Sequence, residues 1–153
     1  MKVIRLVGRG LAVVVVAVLL LDAFGGYLME GPLGPIPGGA FKGDVSTDPD
    51  WSAVEEVIEL EIRPEKPWSL SIWCTVVDGE LYVPSGFGER RRWPSVALED
   101  PRVRVRTGGK IYERLIARIT EAPLRARVLD SLAKRYGDNV KSDSTWVFHL
   151  APR

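Results

Sequence analysis

The run Arg102-Val-Arg-Val-Arg-Thr107, then Gly108-Gly109, then Lys110-Ile-Tyr-Glu-Arg-Leu-Ile-Ala-Arg-Ile119, restricts the fold more than any other part of the chain. Valine and arginine alternate strictly, which gives one apolar face and one cationic face with the two-residue period of a half-buried strand. The paired glycines supply the positive φ of a tight turn, and the second segment returns as a long antiparallel partner. Such a ribbon needs further strands to cover its valine face. The arginines read as a solvated face rather than an anion site, with Glu113 across from them as an ion-pair partner.

Further strands are present on both sides. Val57-Ile-Glu-Leu-Glu-Ile62 alternates, with Ile58, Leu60 and Ile62 on one face and Glu59 and Glu61 on the other. Trp68 to Val77 reads as one strand, with Leu70, Ile72, Cys74 and Val76 inward and Trp68, Ser69, Ser71, Trp73 and Thr75 off that face. Asp78-Gly79 is the dipeptide of a type I′ hairpin. Glu80-Leu-Tyr-Val-Pro84 is the return strand, stopped by its proline. Thr145-Trp-Val-Phe-His-Leu150 is the last strand. Pro123 suits the first turn of a helix capped by Thr120 or Glu121, with Leu124, Val128, Leu129, Leu132 and Tyr136 as its buried stripe and Gly137 as its stop. A shorter helical pattern covers Trp93 to Leu98. The expected class is mainly β (α+β): about six antiparallel strands forming a small barrel decorated by helices.

Ahead of this barrel, Lys2, Arg5 and Arg9 precede an uncharged run from Gly10 to Leu21. A positive start followed by apolar residues is a signal peptide or a signal anchor. Residues 1–29 are expected as an N-terminal transmembrane helix, meeting the lipid bilayer through residues 3–28. The basic bias keeps the N-terminus cytoplasmic and exports the C-terminal domain. Residues 30–56 form a Gly/Pro-rich arm or linker, and 57–153 the barrel domain. Gly31-Pro-Leu-Gly-Pro-Ile-Pro-Gly-Gly39 excludes helix and central strand. Pro49 and Asp50 open a short helical turn through Trp51 to Val54.

The net charge is +1, yet it hides a local asymmetry. Arg90, Arg91, Arg92, Arg102, Arg104 and Arg106 crowd one third of the chain, and Glu55, Glu56, Glu59, Glu61 and Glu65 the segment before it. This excludes a globally basic nucleic-acid binder and leaves room for a local anion site. The single cysteine, Cys74, allows no intrachain disulfide and reads as a buried, inert side chain. His149 is the only histidine and has no ligand cluster to make a metal site. No dinucleotide fingerprint, P-loop or Ser-His-Asp order occurs.

Chemistry is densest between Val76 and Val105. Ser85 offers a hydroxyl, Gly86 and Gly88 let backbone N–H groups approach an anion, and Arg90-Arg91-Arg92 present guanidinium forks suited to phosphate. Trp93 or Trp73 could stack on a flat ring. The arginine run reads either as this anion site or as a solvated turn with no ligand.

In their order, hairpin Asp78-Gly79, strand Leu81-Tyr-Val83, Ser85, the basic loop, Trp93-Pro94, Asp100-Pro101-Arg102-Val103, Gly108-Gly109 and Ala117-Arg118-Ile119 resemble the split β-barrel flavin-binding superfamily. That superfamily includes pyridoxamine-phosphate oxidase and the deazaflavin-dependent nitroreductases. The resemblance covers roughly residues 57–150, and the chain lacks the paired basic residues that the oxidase carries on its early strands. It implies a six-stranded antiparallel split β-barrel, and a homodimer with the cofactor at its interface. It further implies FMN or deazaflavin held by Ser85, Arg90, Arg91, Arg92 and Trp93, and hydride chemistry that belongs to the cofactor. The expected function is a membrane-anchored flavin- or deazaflavin-dependent oxidoreductase. Its alternative is a cofactor-free tethered binding module or a subunit of a membrane assembly.

Overall fold

A computed structural model describes residues 41–47, 49–63 and 65–153. The expected membrane segment and the Gly-Pro run lie outside them. Among the described residues no helix is long and apolar enough to cross a membrane.

Seven strands form one antiparallel sheet: β1 (Val57–Ile62), β2 (Trp68–Trp73), β3 (Thr75–Val77), β4 (Glu80–Ser85), β5 (Arg102–Thr107), β6 (Lys110–Ile119) and β7 (Trp146–Pro152). Their order is β2-β1-β5-β6-β7-β4-β3. The sheet curls until the β2 margin comes up against β4 without being laddered to it, so the barrel is split along that line. Helix α1 (Arg92–Glu99) lies between β4 and β5, and helix α2 (Ala122–Tyr136) between β6 and β7.

The alternation in β1 and β5 puts Ile58, Leu60, Ile62, Val103 and Val105 inside, where they pack with Leu70, Ile72, Phe148 and Leu150. Each such burial contributes on the order of 1.5–3 kcal/mol. The outer face of β4 and β7 is apolar too. Tyr82 and Val147 there meet Val128, Leu129 and Leu132, the middle of the stripe expected on α2, with Leu124 and Tyr136 partly buried beside them. The turns follow the expected chemistry. Asp78 and Gly79 both have positive φ (54° and 81°), as a type I′ hairpin requires, and Gly137 ends α2 at φ 93°. Glu121 stands at the helix N-cap position without a side-chain capping bond.

Three expectations need correction. The segment Trp68–Val77 is two strands rather than one, so the sheet has seven strands and not six. It breaks at Cys74, whose N–H turns to the Glu56 carbonyl (3.3 Å) and the Tyr136 hydroxyl (3.3 Å). Beyond that corner the chain leaves β1 and pairs with β4. Trp68 has the same parity as Leu70 and accordingly packs against the core instead of standing off it. Pro84 does not stop β4, which runs on to Ser85; past the end of β3 the proline has only β7 as a hydrogen-bonding neighbour, so its missing N–H costs little.

The arginines of β5 also choose other partners than Glu113. Arg106 pairs with Glu59, Arg104 with Glu61 (Nε to carboxylate, 2.6 Å), and Arg102 forms a two-pronged contact with Asp100 (2.9 and 2.7 Å) plus a bond to Glu65. β1 is the reason: its glutamates stand directly across from Arg104 and Arg106, whereas Glu113 turns to Arg153. The Arg102 guanidinium holds the Asp100 carboxyl below its usual range. Glu61 is 2% exposed and also accepts the N–H of Phe41, whose ring lies over Arg104 and Arg106. From Phe41 the chain crosses to Val45, which bridges Ile111, and then to Trp51, which plugs the barrel edge-on to Tyr112 (5.0 Å). Residues 51–54 form a turn closed by the Val54 N–H on the Trp51 carbonyl.

Candidate functional site

The split between β2 and β4 holds a cavity of about 520 Å³. This is the size range of small-molecule sites. β2 supplies Leu70 to Trp73 as one wall, and the end of β4 supplies Pro84 and Ser85. Gly86 and Phe87 close one side with Arg91 and Trp93, and Asn139, Val140 and Thr145 come from the connection after α2.

Ser85 is 2% exposed, and its Oγ is buried without a hydrogen-bond partner. Buried hydroxyls are nearly always paired, because leaving one unpaired costs roughly 1–3 kcal/mol. An orphan on a cavity wall is therefore the polar group most in need of a ligand.

Of the three arginines only Arg91 lines the cavity. A 3₁₀ turn over Gly88–Arg90 and the start of α1 at Arg92 send them in different directions. Arg91, extended between the two, lines the cavity; its Nε donates to the Gly86 carbonyl (3.3 Å) and its guanidinium lies 5.4 Å from the Phe87 ring. Arg92 lies over Trp68, 5.3 Å from its ring, and Arg90 is exposed; neither lines the cavity. Trp93 sits in the first turn of α1, 3% exposed and tilted against Phe148, so it is a wall and the positive end of a helix dipole lies beside the cavity.

The glycines divide as well. Gly86 has open space where a Cβ would stand. Gly88, at φ 46°, has no such room: a Cβ would meet the Trp146 indole at 2.5 Å. Its bare backbone thus serves the packing of Trp146, not approach to an anion. Phe87 between them is held at φ 67°, which is rare for a bulky side chain, and is 53% exposed.

Trp73 is the accessible tryptophan of the cavity. It is 38% exposed and stacks flat on Tyr136 (4.7 Å between ring centres, 6° between planes). The Tyr136 hydroxyl bonds the backbone at the Cys74 corner, which fixes the pair, and burial pushes the phenol up. Residues missed at the sequence level are Leu70, Ile72, Asn139, Val140 and Thr145. The strand alternation shows the first two as inward, but nothing local marks the segment after α2 as a cavity wall. His149, read as structural, bonds Glu80 (3.0 Å) and stacks on Tyr82. Among the described residues no cluster suited to a metal ion occurs.

No protein-family profile and no curated sequence matches the chain. Solved structures do. A pyridoxamine 5′-phosphate oxidase-type protein from Listeria innocua aligns with a TM-score of 0.54 and 19% identity over 65% of this chain and 85% of its own. The haem-storage protein HutZ from Vibrio cholerae aligns at 0.53 and 11% over 64% and 82%. An FAD-binding protein from Mesorhizobium loti aligns at 0.51 and 14% over 65% and 82%. At these identities the likeness concerns the fold, and on that ground the described chain shares the split β-barrel fold of these proteins.

Proposed function

We propose that this protein is a membrane-anchored split-barrel oxidoreductase that binds a flavin or deazaflavin in the cavity between β2 and β4. The observation that carries the reading is the orphaned Ser85 hydroxyl on the wall of an otherwise mostly apolar cavity that also holds Arg91. These residues fit the group. Arg91 and Ser85 would hold the phosphate or the anionic tail, as a charged fork and a hydroxyl. Trp73, presented flat by Tyr136, would stack on the ring system, and Leu70 and Ile72 would shield it from water. When bound, such a cofactor supplies two-electron transfer, and the protein's part is to orient it. In this reading Arg91 is the arginine that meets the ligand, since Arg90 and Arg92 do not line the cavity.

The same reading includes a homodimer and an export-oriented anchor at residues 1–29. The exposed Trp73 at the cavity's edge, 38% accessible, supports a second copy as cover, and the basic start of the chain supports the orientation. The alternative, a cofactor-free tethered binding module, is favoured by the lack of a second described cation on the cavity wall.

An absorbance spectrum of the purified protein from the near ultraviolet through the visible, followed by fluorescence titration with FMN, FAD and a deazaflavin, separates them. A yellow protein, or saturable binding weakened at least about tenfold by Arg91→Ala and unchanged by Arg90→Ala, is the expected result. A colourless protein that binds none of the three removes the cofactor and leaves the binding module.

A further inference from the structure

The end of the barrel that carries the arginine loop has a second character beyond the cavity it borders, which Phe87 and Arg91 also line. Three aromatic side chains stand there, each with a guanidinium on its ring: Arg91 by Phe87, Arg92 over Trp68, and Arg118 over Trp146 at 3.5 Å from the ring centre. They are contiguous, because the Gly88 backbone rests on Trp146 and α1 begins immediately after the loop. The β1–β2 turn adds Arg63 and Lys66 to the same end. Arg90 and Lys66 are exposed. Of the carboxylates at this end, Glu65 and Asp100 are taken up by Arg102, Glu89 stands in the loop, and Glu121 and Asp143 are exposed beyond β6 and before β7. At the tip is Phe87, the most exposed large apolar side chain described, held outward by a left-handed backbone.

An exposed aromatic ringed by arginines is the composition of a surface that settles at the headgroup level of an anionic bilayer: the ring enters the interface while the cations meet lipid phosphate. The chain's own course favours this occupant. Phe41 lies at the level of Glu61 and Arg104 and Val45 at that of Ile111, so the chain from Val45 back to Phe41 runs towards the arginine end. Residues 30–40 bridge at most roughly 35–40 Å, which keeps the barrel within about one domain diameter of a membrane anchored through residues 1–29.

We infer that the loop Gly86–Arg92, with Arg63 and Lys66 beside it, forms a docking face for anionic lipid headgroups, which holds the barrel down on the bilayer that anchors it. This rests on the proposed anchor; Phe87 and Arg91 also border the cavity, and the test therefore changes Arg90 and Lys66, which do not line it.

The test uses the full chain reconstituted into liposomes, with a nitroxide label on Glu89→Cys; Cys74 is buried and does not compete for it. Collision with a water-soluble nickel reagent is compared between phosphatidylcholine and phosphatidylcholine mixed with phosphatidylglycerol. The expected result is several-fold lower collision in the anionic bilayer, reversed by high salt and absent in Arg90→Glu/Lys66→Glu. Equal collision in the two bilayers, for protein that floats with both, overturns the docking and leaves the anchor. Protein that floats with neither overturns both. Protection that ignores lipid charge and salt overturns the electrostatic docking.

Discussion

Replacing Ser85 with alanine should push stability and ligand binding in opposite directions. The hydroxyl is buried at 2% exposure with no partner. Removing it relieves a desolvation cost of roughly 1–3 kcal/mol, against which stands a small void, so the ligand-free protein should gain about 1 kcal/mol. For a domain of this size that raises Tm by about 4 °C. With FMN the order reverses. A hydrogen bond to a charged phosphate is worth about 1.5–3 kcal/mol, so the variant should bind about ten- to a hundredfold more weakly. Its ligand-induced stabilisation, which scales as RT ln(1 + [L]/Kd), should shrink accordingly. Urea unfolding followed by tryptophan fluorescence, with and without FMN, reads both quantities on one sample. A variant less stable than wild type by about 1 kcal/mol without ligand would show that the hydroxyl already has a partner in the fold, and the reasoning from an orphan would fail. Equal FMN affinity in the two proteins would remove Ser85 from the site.

Three further outcomes follow from the geometry. Gly88→Ala places a Cβ 2.5 Å from the Trp146 indole at a left-handed backbone position, so it should cost about 2 kcal/mol or more and shift the tryptophan emission, read by urea unfolding. Arg104→Ala leaves the Glu61 carboxylate, 2% exposed, without its cation and should cost about 3 kcal/mol or more, whereas Arg104→Met with Glu61→Met should cost less than the single change. Burial pushes the Cys74 thiol from 9.0 up to about 11. The folded protein should therefore resist thiol reagents at pH 8, and, because the unfolded chain loses this proton first, stability should fall as pH rises from about 9 to about 11. Fast labelling of folded protein, or a flat stability profile across that window, would contradict it.

Where a pattern repeats over several residues, it is readable from the chain alone. The alternations at 57–62, 102–107 and 110–119 coincide with β1, β5 and β6, and the glycine turns fall where positive φ is needed. What stayed hidden depends on partners distant in sequence. The break at Cys74 leaves the alternation intact, since both halves keep an apolar face; only Glu56 and Tyr136, brought there by other elements, reveal the corner. Glu113 stands across from Arg104 in β6, but Glu61 stands across from it in β1, and one strand's pattern cannot say which side wins. The wall from Asn139 to Thr145 carries no local signal, because its place is set by the docking of α2.

The arginine triplet shows how a run of like residues can lose its meaning when the chain turns beneath it. Read as a string, Arg90, Arg91 and Arg92 add up to one phosphate clamp. The backbone makes three environments of them. Phe87 and Gly88 both take positive φ, a 3₁₀ turn follows, and α1 begins one residue later. A 3₁₀ turn followed by an extended residue and then helix cannot hold three successive side chains parallel. Arg91, the extended one, faces the cavity, Arg92 reaches back to Trp68, and Arg90 faces solvent. The packing of Trp146 under Gly88 makes this turn obligatory, since a side chain at residue 88 would fill the space the indole occupies. One partly buried tryptophan on β7 thereby bears on which arginine lines the cavity and which are left for the outer surface.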